Sequence, residues 1–88
     1  MLISQLQIST AVEAKLAEHA VRAREVRQIF LNPRRIRANP RRPGRIEIIG
    51  RTNGGRALVV ALDPTDDDTV WQLVTSYDAP ERLKALIP

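Results

Sequence analysis

"RIEIIGRTNGGRALVVAL", residues 45–62, decides the fold. Two runs rich in isoleucine, leucine and valine flank a glycine-rich break, and each is short enough to be a strand. Asn53-Gly54 tolerates the positive φ that a tight turn demands, so "IEIIGRT" is expected to pair antiparallel with "RALVVAL". Toward the C-terminus, "DPTDDD" (63–68) reads as a polar turn and "TVWQLVTSY" (69–77) as a further strand. "APERLKALI" (79–87) reads as a short helix that Asp78 is placed to cap. Toward the N-terminus, "RIRA" (35–38) has strand character, but Pro40 and Pro43 confine this segment to an edge or a loop. Asn32-Pro33 stops a helical stretch, "RAREVRQIFL", whose Ala23, Val26, Ile29 and Phe30 share one face.

The first twenty residues complete the order. "LISQLQI" alternates, with Leu2, Leu6 and Ile8 on one side and Ile3, Gln5 and Gln7 on the other, as in a half-buried strand. Thr10 followed by Glu13 has the spacing of a capping box, and Val12, Leu16 and His19 then fall on one helix face. Ala20-Val21 marks either a break between two helices or a bend in one. The expected fold class is α+β: an N-terminal strand, two helices, an antiparallel three- to four-stranded meander and a short C-terminal helix. No βαβ alternation and no internal repeat is present.

Eighty-eight residues make one domain with a lean core. Phe30, Trp71 and Tyr77 are the only large aromatics, so aliphatic side chains must fill the interior. Without cysteine there are no disulfides, thiolate metal sites or cysteine nucleophiles. "MLISQLQIST" lacks the basic start and unbroken apolar run of a signal peptide, and no stretch has the length of a membrane span. A cytoplasmic protein is expected.

Charge is polarised along the chain. Residues 22–56 hold eleven arginines against Glu25 and Glu47, a net of +9, whereas residues 57–88 carry a net of −4. "RRIRANPRRPGR" (34–45) alone places six arginines in twelve positions without an acid. Guanidinium groups grip phosphate or carboxylate through paired hydrogen bonds and stack on bases, so a polyanion or an acidic protein is the partner class indicated. A solvated basic loop is the plainer alternative.

The strings "KLAEHAVRAREVRQIFLNPRRIR", "GRIEIIGRTNGGRALVVAL" and "WQLVTSYDAPER" together resemble the BrnT-like toxins of type II toxin–antitoxin systems, small members of the RelE/ParE toxin superfold. The resemblance runs from about Val12 to Arg82 and makes residues 1–88 a single toxin domain. It implies a bacterial ribonuclease that cleaves RNA without a metal or cofactor and inhibits translation. A cognate antitoxin would neutralise it, and operator DNA would be reached only through that antitoxin. No membrane partner is implied, and a homo-oligomer is compatible with it. His19 matches the family histidine, Arg45 the arginine opening the central strand, Gly50 and Arg51 a "GR" step, and Thr75 the hydroxyl of the last strand. Two positions depart from the pattern: Ala20 replaces a glycine, and Tyr77 stands where many relatives carry arginine.

Metal-free RNA cleavage needs a base for the 2′-hydroxyl, cations for the charge at phosphorus and an acid for the leaving oxygen. The catalytic candidates are His19, Arg51, Thr75 and Tyr77, and Glu47 is a further group able to move a proton. The RNA-binding candidates are Arg34, Arg35, Arg37, Arg41, Arg42, Arg45 and Arg56. His19 alternatively packs at its helix end, and Tyr77 alternatively covers the core rim. Arg51 and Arg56 flank the turn and can come close across the strands, which makes them a candidate anion site; the plainer alternative is two splayed, hydrated side chains. "DDD" (66–68) reads as a solvated turn, Trp71 as core, and "TNGGR" as a hairpin, since it lacks the lysine and following helix of a phosphate loop. A non-catalytic binding protein of the same fold, one inhibiting a target such as a topoisomerase, and a basic nucleic-acid-binding module are the other functional classes compatible with these residues.

Overall fold

The computed structural model describes residues 3–88. Leu2, expected in the first strand, lies outside the described residues. Eight elements run in order: β1 (Gln5–Gln7), α1 (Thr10–Glu18), α2 (Ala23–Ile29), β2 (Arg34–Ala38), β3 (Ile46–Arg51), β4 (Ala57–Pro64), β5 (Val70–Asp78) and α3 (Glu81–Lys84). The chain is α+β, with a five-stranded sheet ordered β1-β5-β4-β3-β2. The sheet is mixed, which the expected antiparallel meander did not include: β2 to β5 run antiparallel, but β1 joins the β5 edge in parallel, Gln5 opposite Val70 and Gln7 opposite Gln72.

The hairpin forms as its sequence requires, with Ile48 opposite Val60 and Arg51 opposite Ala57. Its positive φ, however, falls on Gly55 (91°) and not on the Asn53-Gly54 step. Gly55 N–H donates to the Thr52 carbonyl, closing a turn whose last residue is left-handed, the arrangement of a three-residue hairpin loop. Asn32 at the exit of α2 pins this loop by donating to the Arg51 carbonyl and the Asn53 side chain.

Strand alternation divides the core between two faces. On one, Leu16, Val21, Val26 and Ile29 from the helical segment pack on Ile48, Leu58, Val60, Leu62 and Leu73. On the other, Ile49, Ala57 and Val59 are covered only by Ala79 and Leu83, with Tyr77, Leu86 and Ile87 at the margin. A register shift between Ala61 and Leu62 places Thr75 and Leu73 opposite consecutive β4 residues, so Val74 is the extra residue of a bulge. Trp71 packs against the first cluster, as expected. The alternation assigned to "LISQLQI" is not kept: Ile3, Leu6 and Ile8 all pack on that cluster, because only three residues are extended.

Helix ends also differ from expectation. The cap of α1 is Ser9, whose hydroxyl accepts from Val12 N–H, so Thr10 is already the first helical residue and does not box with Glu13. Glu25 instead closes the start of α2 by accepting from Arg22 N–H. Between the helices, Ala20 adopts φ 54°. Val21 N–H reaches the Leu16 carbonyl and Ala20 N–H the Ala17 carbonyl, a Schellman turn whose apolar contact is Leu16 with Val21. The chain therefore has two helices and a break, with alanine in a conformation that strains it more than glycine. Asp78 does not cap the C-terminal helix; it ends β5, and Pro80 occupies the cap position of α3.

Candidate functional site

The lightly covered face of the sheet holds the chemistry. Because side chains alternate, Arg37, Glu47, Ala61 and Thr75 align across four strands, with Arg35, Ile49, Val59 and Tyr77 in the next row. Small Ala61 beneath Thr75, and an α3 of four residues, leave part of this face open. The resulting cavity of ≈ 350 Å³ lies between the β2–β3 connection and α3. Arg37, Asn39, Arg41, Glu47, Tyr77 and Arg82 bring polar groups to its wall.

Glu47 is the buried charge of this cavity, its side chain 8% exposed. Arg37 Nε donates to Oε1 at 2.9 Å, and Asn39 Nδ2 lies 3.4 Å from Oε2. Asn39 is itself fixed, since its Oδ1 accepts from the backbone N–H groups of Arg41 and Arg42. The turn that orients Asn39 toward Glu47 thus also carries two arginines. Burial pushes the Tyr77 phenol above its ordinary value; Glu47 adds to the effect, while Arg37 and Arg82 oppose it. Tyr77 therefore keeps its proton at neutral pH and remains a hydrogen-bond donor.

The residues expected to act together are dispersed around this cavity. His19 is exposed at the end of α1 and does not line the cavity. It meets Tyr77 with ring centroids 6.1 Å apart and planes tilted by 52°. Thr75 is half-buried two residues before Tyr77 and does not line the cavity either. Arg51 donates to the Gly55 carbonyl at 2.9 Å and steadies the hairpin loop. The candidate anion site between Arg51 and Arg56 is not formed, because Arg56 turns to the helical break instead. Its Nε donates to Asp78 at 2.7 Å, Nη1 to the Ala20 carbonyl and Nη2 to the His19 carbonyl, with Glu25 3.4 Å away.

Arg45 is likewise committed, forking onto both oxygens of Asp63 at 2.7 and 3.0 Å. Arg34 donates to the Asn32 carbonyl. Arg35 and Arg42 are exposed, and Arg37 and Arg41 line the cavity. Arg82, absent from the sequence candidates, arrives through α3. The other hollow, of ≈ 320 Å³ beside β2, has Arg27 and Arg34 at its rim but is walled mainly by Ile3, Leu6, Phe30, Ile36 and Ile48. Among the described residues no group of three acidic, histidine or cysteine side chains is placed to hold a metal, and no helix is long and apolar enough to cross a membrane.

Two acids answer the arginine-rich half of the chain and make stability pH-dependent. The hydrogen bond from Arg45 holds the Asp63 carboxyl below its ordinary range against the opposing effect of burial, and Arg56 does the same for Asp78. Carboxyls depressed in the folded state contribute stability that is complete above their unfolded value, about 4, and is lost as pH falls through the lower folded values. Thermal melts between pH 7 and about pH 2.5 should show this loss beginning below about pH 4. A variant combining Asp63→Asn and Asp78→Asn should start lower at pH 7 and lose less on acidification. Equal losses in the two proteins would remove these pairs as the cause.

No protein-family profile matches the chain, and no curated protein matches it.

Proposed function

We propose that the protein is the toxin of a type II toxin–antitoxin system, a RelE/ParE-like domain that cleaves RNA without a metal, inhibits translation and is neutralised by a cognate antitoxin. The observation that carries this reading is the cavity lined by Arg37, Arg41 and Arg82 together with the buried Glu47 carboxylate and Tyr77. Cations at the mouth suit a phosphodiester backbone, whose charge dominates affinity for any nucleic acid. The two proton-moving groups inside suit chemistry at that phosphate better than mere retention of it. The order of strand, two helices, meander and short helix is the layout expected of the superfold, and the sequence resemblance supports it independently of the cavity.

Incubation of the purified protein with a long mRNA, in EDTA without ribosomes and in magnesium-containing translation buffer with them, tests the reading. Discrete cleavage and arrest of in vitro translation are expected. RNA that stays intact under both conditions would overturn the ribonuclease assignment and leave a binding protein.

A further inference from the structure

We propose that Glu47 is the proton-accepting catalytic residue of this domain, working with Tyr77 as proton donor, in place of the histidine that the sequence resemblance points to. The inference rests on the ribonuclease reading and deepens it. Among the described residues Glu47 is the one carboxylate on the cavity wall, and it is held from two sides, by Arg37 from β2 and by Asn39 from the β2–β3 connection. A buried ion pair is a weak source of stability, and a leucine or valine would pack more simply beside Ala61. The Arg37 contact uses Nε, so both terminal nitrogens of its guanidinium can serve a phosphate beside the carboxylate.

His19 lacks this setting. It is exposed, lies outside the cavity wall and meets the site only through the Tyr77 ring. The groups that face Glu47 are Arg37 and Arg41 from β2 and its loop, Tyr77 from β5 and Arg82 from α3, with the Arg45–Asp63 pair further along β3 and β4. Arg37 thus holds the one carboxylate, while Arg41 and Arg82 line the same cavity, in which a phosphate would lie beside it.

In the step so assigned, the Glu47 carboxylate takes the proton of a ribose 2′-hydroxyl, and the 2′-oxygen forms a bond to the adjacent phosphorus. The bond from phosphorus to the 5′-oxygen breaks with its electron pair on that oxygen, which takes the Tyr77 hydroxyl proton. The products are a cyclic phosphate end and a 5′-hydroxyl end. Water returns the proton from Glu47 to Tyr77, so the enzyme is restored without an added reagent.

The test compares wild type, Glu47→Gln, Glu47→Asp and His19→Gln on one mRNA with ribosomes in magnesium-containing buffer, with RNA affinity and thermal melting measured for each. Glu47→Gln should lose about 100-fold or more in single-turnover rate, the scale of a missing general base, with RNA affinity within about 3-fold of wild type. Glu47→Asp should keep measurable activity, and His19→Gln should fall by less than about 5-fold. Thermal melting separates a folded, inactive Glu47→Gln from one that fails to fold, and Glu47→Asp keeps the assignment testable in the second case. Cleavage by Glu47→Gln at the wild-type rate, or a loss in His19→Gln as large as the one expected of Glu47→Gln, would overturn the assignment while leaving the ribonuclease reading intact. No cleavage by wild type would overturn both.

Discussion

Arg56→Met is expected to lower stability by about 2 kcal/mol, enough to drop the melting temperature by roughly 10 °C in a domain of this size. The methionine keeps the apolar stem and removes the guanidinium. Lost with it are the bonds to Asp78 and to the His19 and Ala20 carbonyls, together with the charge facing Glu25. The two carbonyls matter most, because they end a helix whose closing residue, Ala20, is strained at φ 54°. Arg56 thus fastens the α1–α2 break to the start of β4 and the end of β5. Ala20→Gly should stabilise the wild type by up to about 1 kcal/mol and recover part of the loss in Arg56→Met. Thermal denaturation of wild type, the two single variants and the double variant reads both effects. An Arg56→Met protein melting within about 2 °C of wild type would show the guanidinium to be incidental.

Gly50→Ala should cost about 1–3 kcal/mol although the added group is one methyl. A Cβ at position 50 would sit 2.9 Å from Ile29 Cγ2 and 3.2 Å from Arg34 Cβ. Neither neighbour can retreat: Ile29 is fully buried on a helix with a stiff branched side chain, and Arg34 Cβ is fixed by its strand. Gly50 is therefore where α2 lies directly on β3. Adding Ile29→Ala, which removes the clashing methyl, should make the double variant less unstable than the two single losses combined. Denaturant midpoints of the three variants test this, and strict additivity would mean that the clash is absorbed elsewhere.

Local signals made much of the fold legible. The "TNGG" break between β-rich runs located the central hairpin, and Asn32-Pro33 located the end of α2, because each depends on residues close in sequence. Long-range partners were less readable. Asp78 has the composition of a helix cap, but Arg56, 22 residues earlier in the chain, binds it from the residue just before β4. Ser9 and Thr10 have similar capping preferences, and backbone geometry chose the earlier one. The parallel β1–β5 pairing involves three residues on one side, too few for an alternation to show.

The candidate site divides the same way. Arg37 and Arg41 stood out as members of an arginine cluster, but the cluster gave no means of telling them from Arg45, which Asp63 claims from β4. Glu47 was visible only as one of several groups able to move a proton. Its prominence comes from register, which sets it opposite Arg37, and from the Asn39 turn. Arg82 required the fold-back of α3. The glycine at 50, matched by resemblance to a "GR" step, has a packing reason in full.

The seam between β1 and β5 imposes an order on assembly. Ser4 bonds Thr69 through both backbone and hydroxyl, joining positions 65 residues apart, so the sheet cannot gain its last strand until β5 has emerged and paired with β4. Closing so long a loop carries a large entropic cost, and three short rungs offset it only once the rest of the sheet stands. On a ribosome, β1 is made before the strand it pairs with and is installed last. Weakening it should chiefly hasten unfolding, leaving the rate of folding nearly unchanged. This short early-made strand thus acts as the latch that sets how long the finished domain survives.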